Sequence, residues 1–209
     1  MKSNEELFEI LMERIAQQQY IHTEDIPGID LYMDQVTTFM ETHLSQGKRH
    51  EEDKILTKTM INNYAKNDLL PPPVKKKYSR EHMLMLIFVY YYKNLLSIGD
   101  IQTLMQPLTD AYFQAPEGLN LTDIYNEVFS MARGEKEALF QDAKNTFAKA
   151  SATFTNADVS PQEREELQRF AFISLLSFDV YMKKQMIEFL IDEMAADAKS
   201  EVATSKKKK

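Results

Sequence analysis

The residues best suited to chemistry lie between Thr57 and Arg80, and the chemistry they suit is non-covalent recognition of a polyanion. Lys58, Thr59, Asn62, Asn63 and Lys66 fall on the polar side of a short helical stretch whose other side carries Ile61 and Tyr64. An asparagine amide can bond an adenine edge through donor and acceptor together, and lysine or threonine can reach bases or phosphates. Behind Pro71-Pro72-Pro73 come Lys75, Lys76, Lys77, Tyr78 and Arg80. A proline-stiffened basic turn beside such a helix would hold flanking phosphates and fix register.

No other cluster has catalytic or metal-binding spacing. His22, His43, His50 and His82 are far apart, and cysteine is absent. No Gly-rich phosphate loop, nucleophile elbow or HExxH string occurs. No catalytic residue, cofactor or metal is therefore expected, and the chain is read as a non-enzyme.

The charge distribution supports the same segment. The net charge of −7 argues against nucleic acid. Between Lys48 and Lys93, however, ten basic residues stand against five acids, so this stretch carries +5 and the remainder −12. A basic module inside an acidic chain suits local phosphate binding.

The elements that must position these residues are helices. Only 5 Gly and 7 Pro among 209 residues, with many Leu, Met, Glu, Gln and Lys, favour an all-α chain. Leu7, Ile10, Leu11 and Ile15 mark an amphipathic first helix, and a second starts near Ile29. Thr57 caps the helix running to about Asn67, and Ser79 with His82 opens the next. Ser97 caps a short helix that Pro107 closes. Two long helices follow at about 121–150, with Leu121, Ile124, Val128, Met131 and Leu139 on the apolar face, and at about 161–197. The stretch Phe170 to Tyr181 is apolar on nearly every side, which places it centrally in the core or in a subunit interface. The only strand pairing expected is a two-residue one within the Pro73–Tyr78 turn.

The run Thr57-Lys-Thr-Met-Ile-Asn-Asn-Tyr-Ala-Lys-Asn-Asp-Leu-Leu-Pro-Pro-Pro73, then Lys77-Tyr-Ser-Arg-Glu-His82 and Leu96-Ser-Ile-Gly-Asp-Ile-Gln-Thr-Leu-Met105, resembles a MerR-type DNA-binding domain. The strings Met-Ile-Asn-Asn-Tyr and Pro-Pro-Pro-x-Lys-Lys-Lys-Tyr are further similar to an uncharacterised bacterial family of MerR-like helical proteins. The chain departs from the MerR pattern at Asn62, where an arginine is usual, and at Asp68, where a glycine is. Its wing is short and lacks a glycine.

The resemblance implies a winged helix-turn-helix fold with a short wing, and a sequence-specific, DNA-binding transcriptional regulator. Its recognition helix would be about 57–67 and its basic wing 73–80. The DNA contacts would be Lys58, Thr59, Asn62, Asn63, Lys66, Lys75, Lys76, Lys77, Tyr78 and Arg80. The expected partners are double-stranded DNA, a second copy making a homodimer, and a small-molecule or protein effector at the C-terminal region. The expected division is an N-terminal amphipathic helix (1–28), the winged domain (29–107), a helical dimerisation or effector region (108–198) and a disordered lysine-rich tail (199–209). No secretory signal and no membrane span are expected, and the absence of cysteine fits the cytoplasm. The competing reading is a helical protein–protein adaptor that uses a winged-helix fold without binding DNA.

Overall fold

The structure, a computed structural model, describes residues 2–115 and 117–207. In order, these form α1 (Asn4–Gln17), β1 (Leu31–Tyr32), α2 (Met33–Leu44), α3 (Lys58–Lys66), β2 (Lys77–Tyr78), α4 (Arg80–Tyr92), α5 (Ile98–Tyr112), α6 (Leu121–Gly134), α7 (Lys136–Ser151) and α8 (Pro161–Lys207). With 70% helix and 3% strand, the chain is all-α. Two compact units are present. One takes the described residues up to 19 together with 130–186; the other takes 20–129 and the described residues from 187 on. This grouping cuts across the linear division expected from the sequence. The first helix joins 130–186 instead of standing alone, because its Phe8 finds its aromatic partners there.

In the unit containing 20–129, α4 is the centre. His82 to Val89 are buried without interruption, so this helix has no water-facing side over its first turns. Val36, Phe39, Met40 and Leu44 of α2, Ile61 and Tyr64 of α3, and Ile101 and Met105 of α5 belong to the same core. On α6, Tyr125 and Phe129 bring their rings to within 5.5 and 5.4 Å of Phe88. The Tyr125 hydroxyl donates to the Ile21 carbonyl at 2.7 Å, which satisfies a polar tip that burial would otherwise penalise.

The other unit is closed by three aromatic rings. Phe8 stacks on Phe147 at 4.4 Å, and Phe172 meets both edge-on. Ser3 and Glu6 form a reciprocal capping box at the start of α1. Asn4 ties that start to α8, donating to the Glu165 carbonyl at 2.9 Å and accepting from Arg169 Nε at 3.0 Å.

Several sequence expectations are corrected. Pro107 lies inside α5 and does not end it. The ring is exposed, so the carbonyl it leaves unbonded one turn back can be hydrated and the helix continues. The helix expected over 121–150 is two helices, parted at Gly134–Glu135. Its buried stripe is Leu121, Tyr125 and Phe129, while Val128, Met131 and Leu139 are exposed. Residues 170–181 are not central to a core, for Phe170, Phe178 and Tyr181 are all exposed. Helix α8 is described as far as Lys207, within the lysine-rich tail expected from 199, and residues 208 and 209 lie outside the described residues. The second helix begins at Met33, because Leu31 and Tyr32 are taken up as a strand.

The assignment of the α6 face is testable by urea unfolding. Phe129→Ala should cost about 3–5 kcal/mol, as buried aromatic truncations do, whereas Val128→Ala should stay within about 0.5 kcal/mol.

Candidate nucleic-acid interface

Helix α3 is short and starts cleanly. The Thr57 hydroxyl accepts from the Met60 N–H at 3.1 Å, the N-cap bond that satisfies one of the free amides of the first turn. Ile61 and Tyr64 are buried, so the opposite face is turned outward by necessity. Lys58, Thr59, Asn62, Asn63 and Lys66 are all exposed. Lys58 is ion-paired with Asp34. Among the described residues, no side chain or backbone group bonds the amides of Asn62 or Asn63. A helix with its side chains is about 10–12 Å across, which a major groove about 12 Å wide admits.

The end of α3 is locked by backbone bonding. Asp68 has φ 54°, the left-handed conformation that glycine favours. The Leu69 N–H reaches back to the Tyr64 carbonyl at 3.0 Å and the Asp68 N–H to Ala65 at 3.4 Å, the pairing of a Schellman cap. Asp68 thus occupies the conformation for which the resemblance expects a glycine. Leu69 and Leu70, both buried, then anchor the proline run to the core.

The turn that follows is a two-residue hairpin. Val74 bridges Lys77, and the Lys77 N–H donates to the Val74 carbonyl at 2.9 Å. Its two central residues, Lys75 and Lys76, have φ 50° and 65°. Such tight hairpins favour Asn-Gly at these positions, because a side chain with a Cβ is strained there. Two lysines stand at the tip instead. Both are exposed, and among the described residues neither they nor Lys66 has an ion-pair partner.

The base of the hairpin is bound to the core. β2 pairs antiparallel with β1, Leu31 opposite Tyr78 and Tyr32 opposite Lys77. This second pairing is what the sequence reading missed, since two residues give no alternating pattern to detect. Lys77 Nζ sits 5.2 Å from the centre of the Tyr32 ring, a cation–π contact that leaves it partly exposed.

Two expected contacts are therefore corrected. Tyr78 is buried, and its ring packs edge-on against His82 at 5.5 Å, so it cannot reach a groove. Arg80 turns inward, its Nη2 donating to the Thr23 carbonyl at 2.7 Å. Both residues hold the hairpin in place. Two other cations of the basic stretch are also engaged: Lys48 pairs with Glu41, and Lys93 Nζ donates to the Ile55 carbonyl at 2.5 Å.

His82 links hairpin, proline run and α4. Its Nδ1 accepts from the Ser79 N–H at 3.0 Å, which leaves Nε2 to donate to the Pro71 carbonyl at 3.1 Å. The rings of Tyr78 and Phe113 both meet the His82 ring edge-on, at 5.5 and 4.8 Å. Burial holds its pKa below the ordinary 6.5, against smaller opposing effects from the Pro71 carbonyl and Glu81. Folding thus favours the neutral ring. The stability this brings is complete above the ordinary histidine range and is lost as pH falls through that range towards the lower folded value.

Elsewhere, in the unit that holds α1, an apolar cavity of about 220 Å³ is lined by Leu7, Phe8, Leu11, Phe147 and Phe172, with Arg169 among its polar residues. Among the described residues, no three His, Cys, Asp or Glu side chains gather as a metal site would need. Nor is any helix long and apolar enough to cross a membrane.

The urea midpoint of the wild-type chain should drop more steeply between pH 7 and pH 5 than that of His82→Gln, whose amide can still donate to Pro71 but does not titrate. Parallel curves would show that His82 does not govern this pH dependence.

Compared with known proteins, residues 21–128 match the family described as Domain of unknown function (DUF1836), just over half of the chain. No curated protein and no solved structure matches.

Proposed function

We propose that this chain, which belongs to the DUF1836 family, is a cytoplasmic DNA-binding transcriptional regulator of the winged helix-turn-helix, MerR-like type. Helix α3 reads the major groove of double-stranded DNA through Asn62 and Asn63, with Thr59 and Lys66 beside them. The hairpin tip, Lys75 and Lys76, grips the flanking backbone, and Lys77 assists. Tyr78 and Arg80 drop out of the contact set and act as supports. No catalytic step belongs to this reading.

The observation that carries it is the hairpin tip. Strained backbone persists where a function requires it, and here the strain is borne by two lysines with no ion-pair partner among the described residues. Phosphates are the ligand for which such cations are suited, since each contact releases condensed counterions. The unpartnered asparagines on α3 supply the second half of the argument, because a bidentate amide distinguishes adenine from other bases.

The alternative, a protein-binding adaptor, draws on the −12 carried outside the basic stretch. It predicts a partner complex that forms without DNA and is indifferent to salt.

Fluorescence anisotropy with duplex fragments from around its own gene, across a salt series, separates the two. Lys75→Ala with Lys76→Ala should weaken binding to every sequence and make the log–log salt slope shallower by about 2, one for each phosphate contact. Asn62→Ala should instead change the preference at one base pair by about 1–3 kcal/mol. Arg80→Ala should lower stability and leave the slope alone. An unchanged slope in the lysine variant would count against the wing.

A further inference from the structure

The hairpin and β1 together make a small ribbon whose two faces differ. Val74 pairs with Lys77 across the turn, and Lys77 pairs with Tyr32 of β1. Residues directly opposite one another point to the same side of a sheet, so Tyr32, Lys77 and Val74 form one row. The next row, Leu31 opposite Tyr78, faces the core, and both of its residues are buried. The outer row is open, with Tyr32 53% exposed and Val74 61%. Neighbouring strands lie about 4.8 Å apart, which makes the row about 10 Å long. It reads apolar, cationic, apolar. The Lys77 ammonium stands 5.2 Å from the centre of the Tyr32 ring, and among the described residues no second ring meets Tyr32.

We propose that this row is a further part of the DNA-contacting surface, in which Tyr32 and Val74 pack on the deoxyriboses either side of a phosphate held by Lys77. The inference rests on the DNA-binding reading and adds two residues to it. Tyr32 lies outside the basic stretch and Val74 carries no charge, so neither is visible in the sequence as a nucleic-acid contact. Along a nucleic-acid strand, anionic phosphates alternate with sugars whose C–H faces are apolar. The row carries the same alternation. Single exposed apolar side chains are ordinary on a surface. Two that flank a lysine on one face of a ribbon, next to the lysine tip, are matched to such a strand. Lys77 is also prepared for it, because its cross-strand neighbours on both sides limit where its stem can go. Less freedom is then lost when it meets a phosphate. Contacts with sugars carry no base information, so the row adds affinity and register without choosing sequence.

Fluorescence anisotropy of the full-length chain with a mixed-sequence duplex, over a salt series, tests this. Tyr32→Ala should weaken binding about tenfold, on the scale of one lost apolar contact. Its log–log salt slope should not change, since no phosphate contact is lost. Lys77→Met should instead make the slope shallower by about 1. Tyr32→Phe should bind as the wild type does, because the ring makes the contact. Val74→Thr keeps a branched side chain in the ribbon and swaps a methyl for a hydroxyl, and should weaken binding about threefold at unchanged slope. A benzophenone side chain in place of Tyr32, which abstracts C–H hydrogens, should cross-link the duplex on irradiation, and unlabelled duplex should compete the product away. If Tyr32→Ala and Val74→Thr bind like the wild type while Lys75→Ala with Lys76→Ala weakens binding, the row is no contact and the DNA-binding reading survives. If Tyr32→Ala flattens the slope as Lys77→Met does, the ring acts only through the lysine and the contact is overturned. A wild-type chain that binds anionic phospholipid vesicles and no duplex overturns both.

Discussion

Helix α4 carries eight consecutive buried side chains, His82 to Val89, and a helix without a polar side over that length must be covered all round. That requirement organises the unit around it. The Thr109 hydroxyl of α5 lies 3.9 Å from Met85 Sδ, Phe88 meets the rings of α6, and the Tyr90 hydroxyl donates to the last carbonyl of α2 at 3.4 Å. At its N-terminus, His82 bonds the proline run and Tyr78 packs beside it. The strands and turns next to α3 are thus fastened to the most continuously buried helix of the unit. A recognition surface needs such support, because contacts that read an edge or a phosphate tolerate little misplacement.

Against this well-supported base, the hairpin tip departs from what folding alone would choose. Lys75 and Lys76 hold left-handed conformations at a cost of order 1 kcal/mol each, and among the described residues no acid pairs with them. Asp68 shows the contrast. It too is left-handed, but its conformation closes α3 through the Leu69 bond and so has a structural reason. The left-handed backbone at the tip likewise closes a turn, through the Lys77 bond to Val74, but the two lysines, standing where asparagine and glycine would be unstrained, have no such reason. A partner with dense negative charge gives them one, and duplex DNA is that partner in the reading proposed here.

Where single residues carry the local structure, the sequence was informative. Thr57 and Ser79 announce their helix starts because a hydroxyl before an apolar-periodic run has a physical use there, and Pro71 to Pro73 cannot be helical. The outward face of α3 followed from Ile61 and Tyr64. Tyr78 and Arg80 were misjudged because their position in a basic string says nothing of burial. Only the pairing of Leu31 with Tyr78 and the Thr23 carbonyl turn them inward, and both partners are distant in sequence. The face of α6 was misjudged for another reason. Leu121 starts both the 124–128–131 stripe and the 125–129 stripe, and hydrophobicity alone does not choose between them. The rings of Phe88 and Tyr20 choose the second.

The most direct measurement pairs stability and DNA affinity in one variant, Lys75→Asn with Lys76→Gly. These residues suit the left-handed positions that the lysines occupy under strain. If the lysines are there for phosphate, the variant unfolds at higher urea, more stable by about 1–2 kcal/mol, and binds duplex DNA more weakly with a shallower salt dependence. If it gains stability and binds DNA as the wild type does, the tip is not a phosphate grip, and the account of this protein as a winged DNA-binding regulator is contradicted.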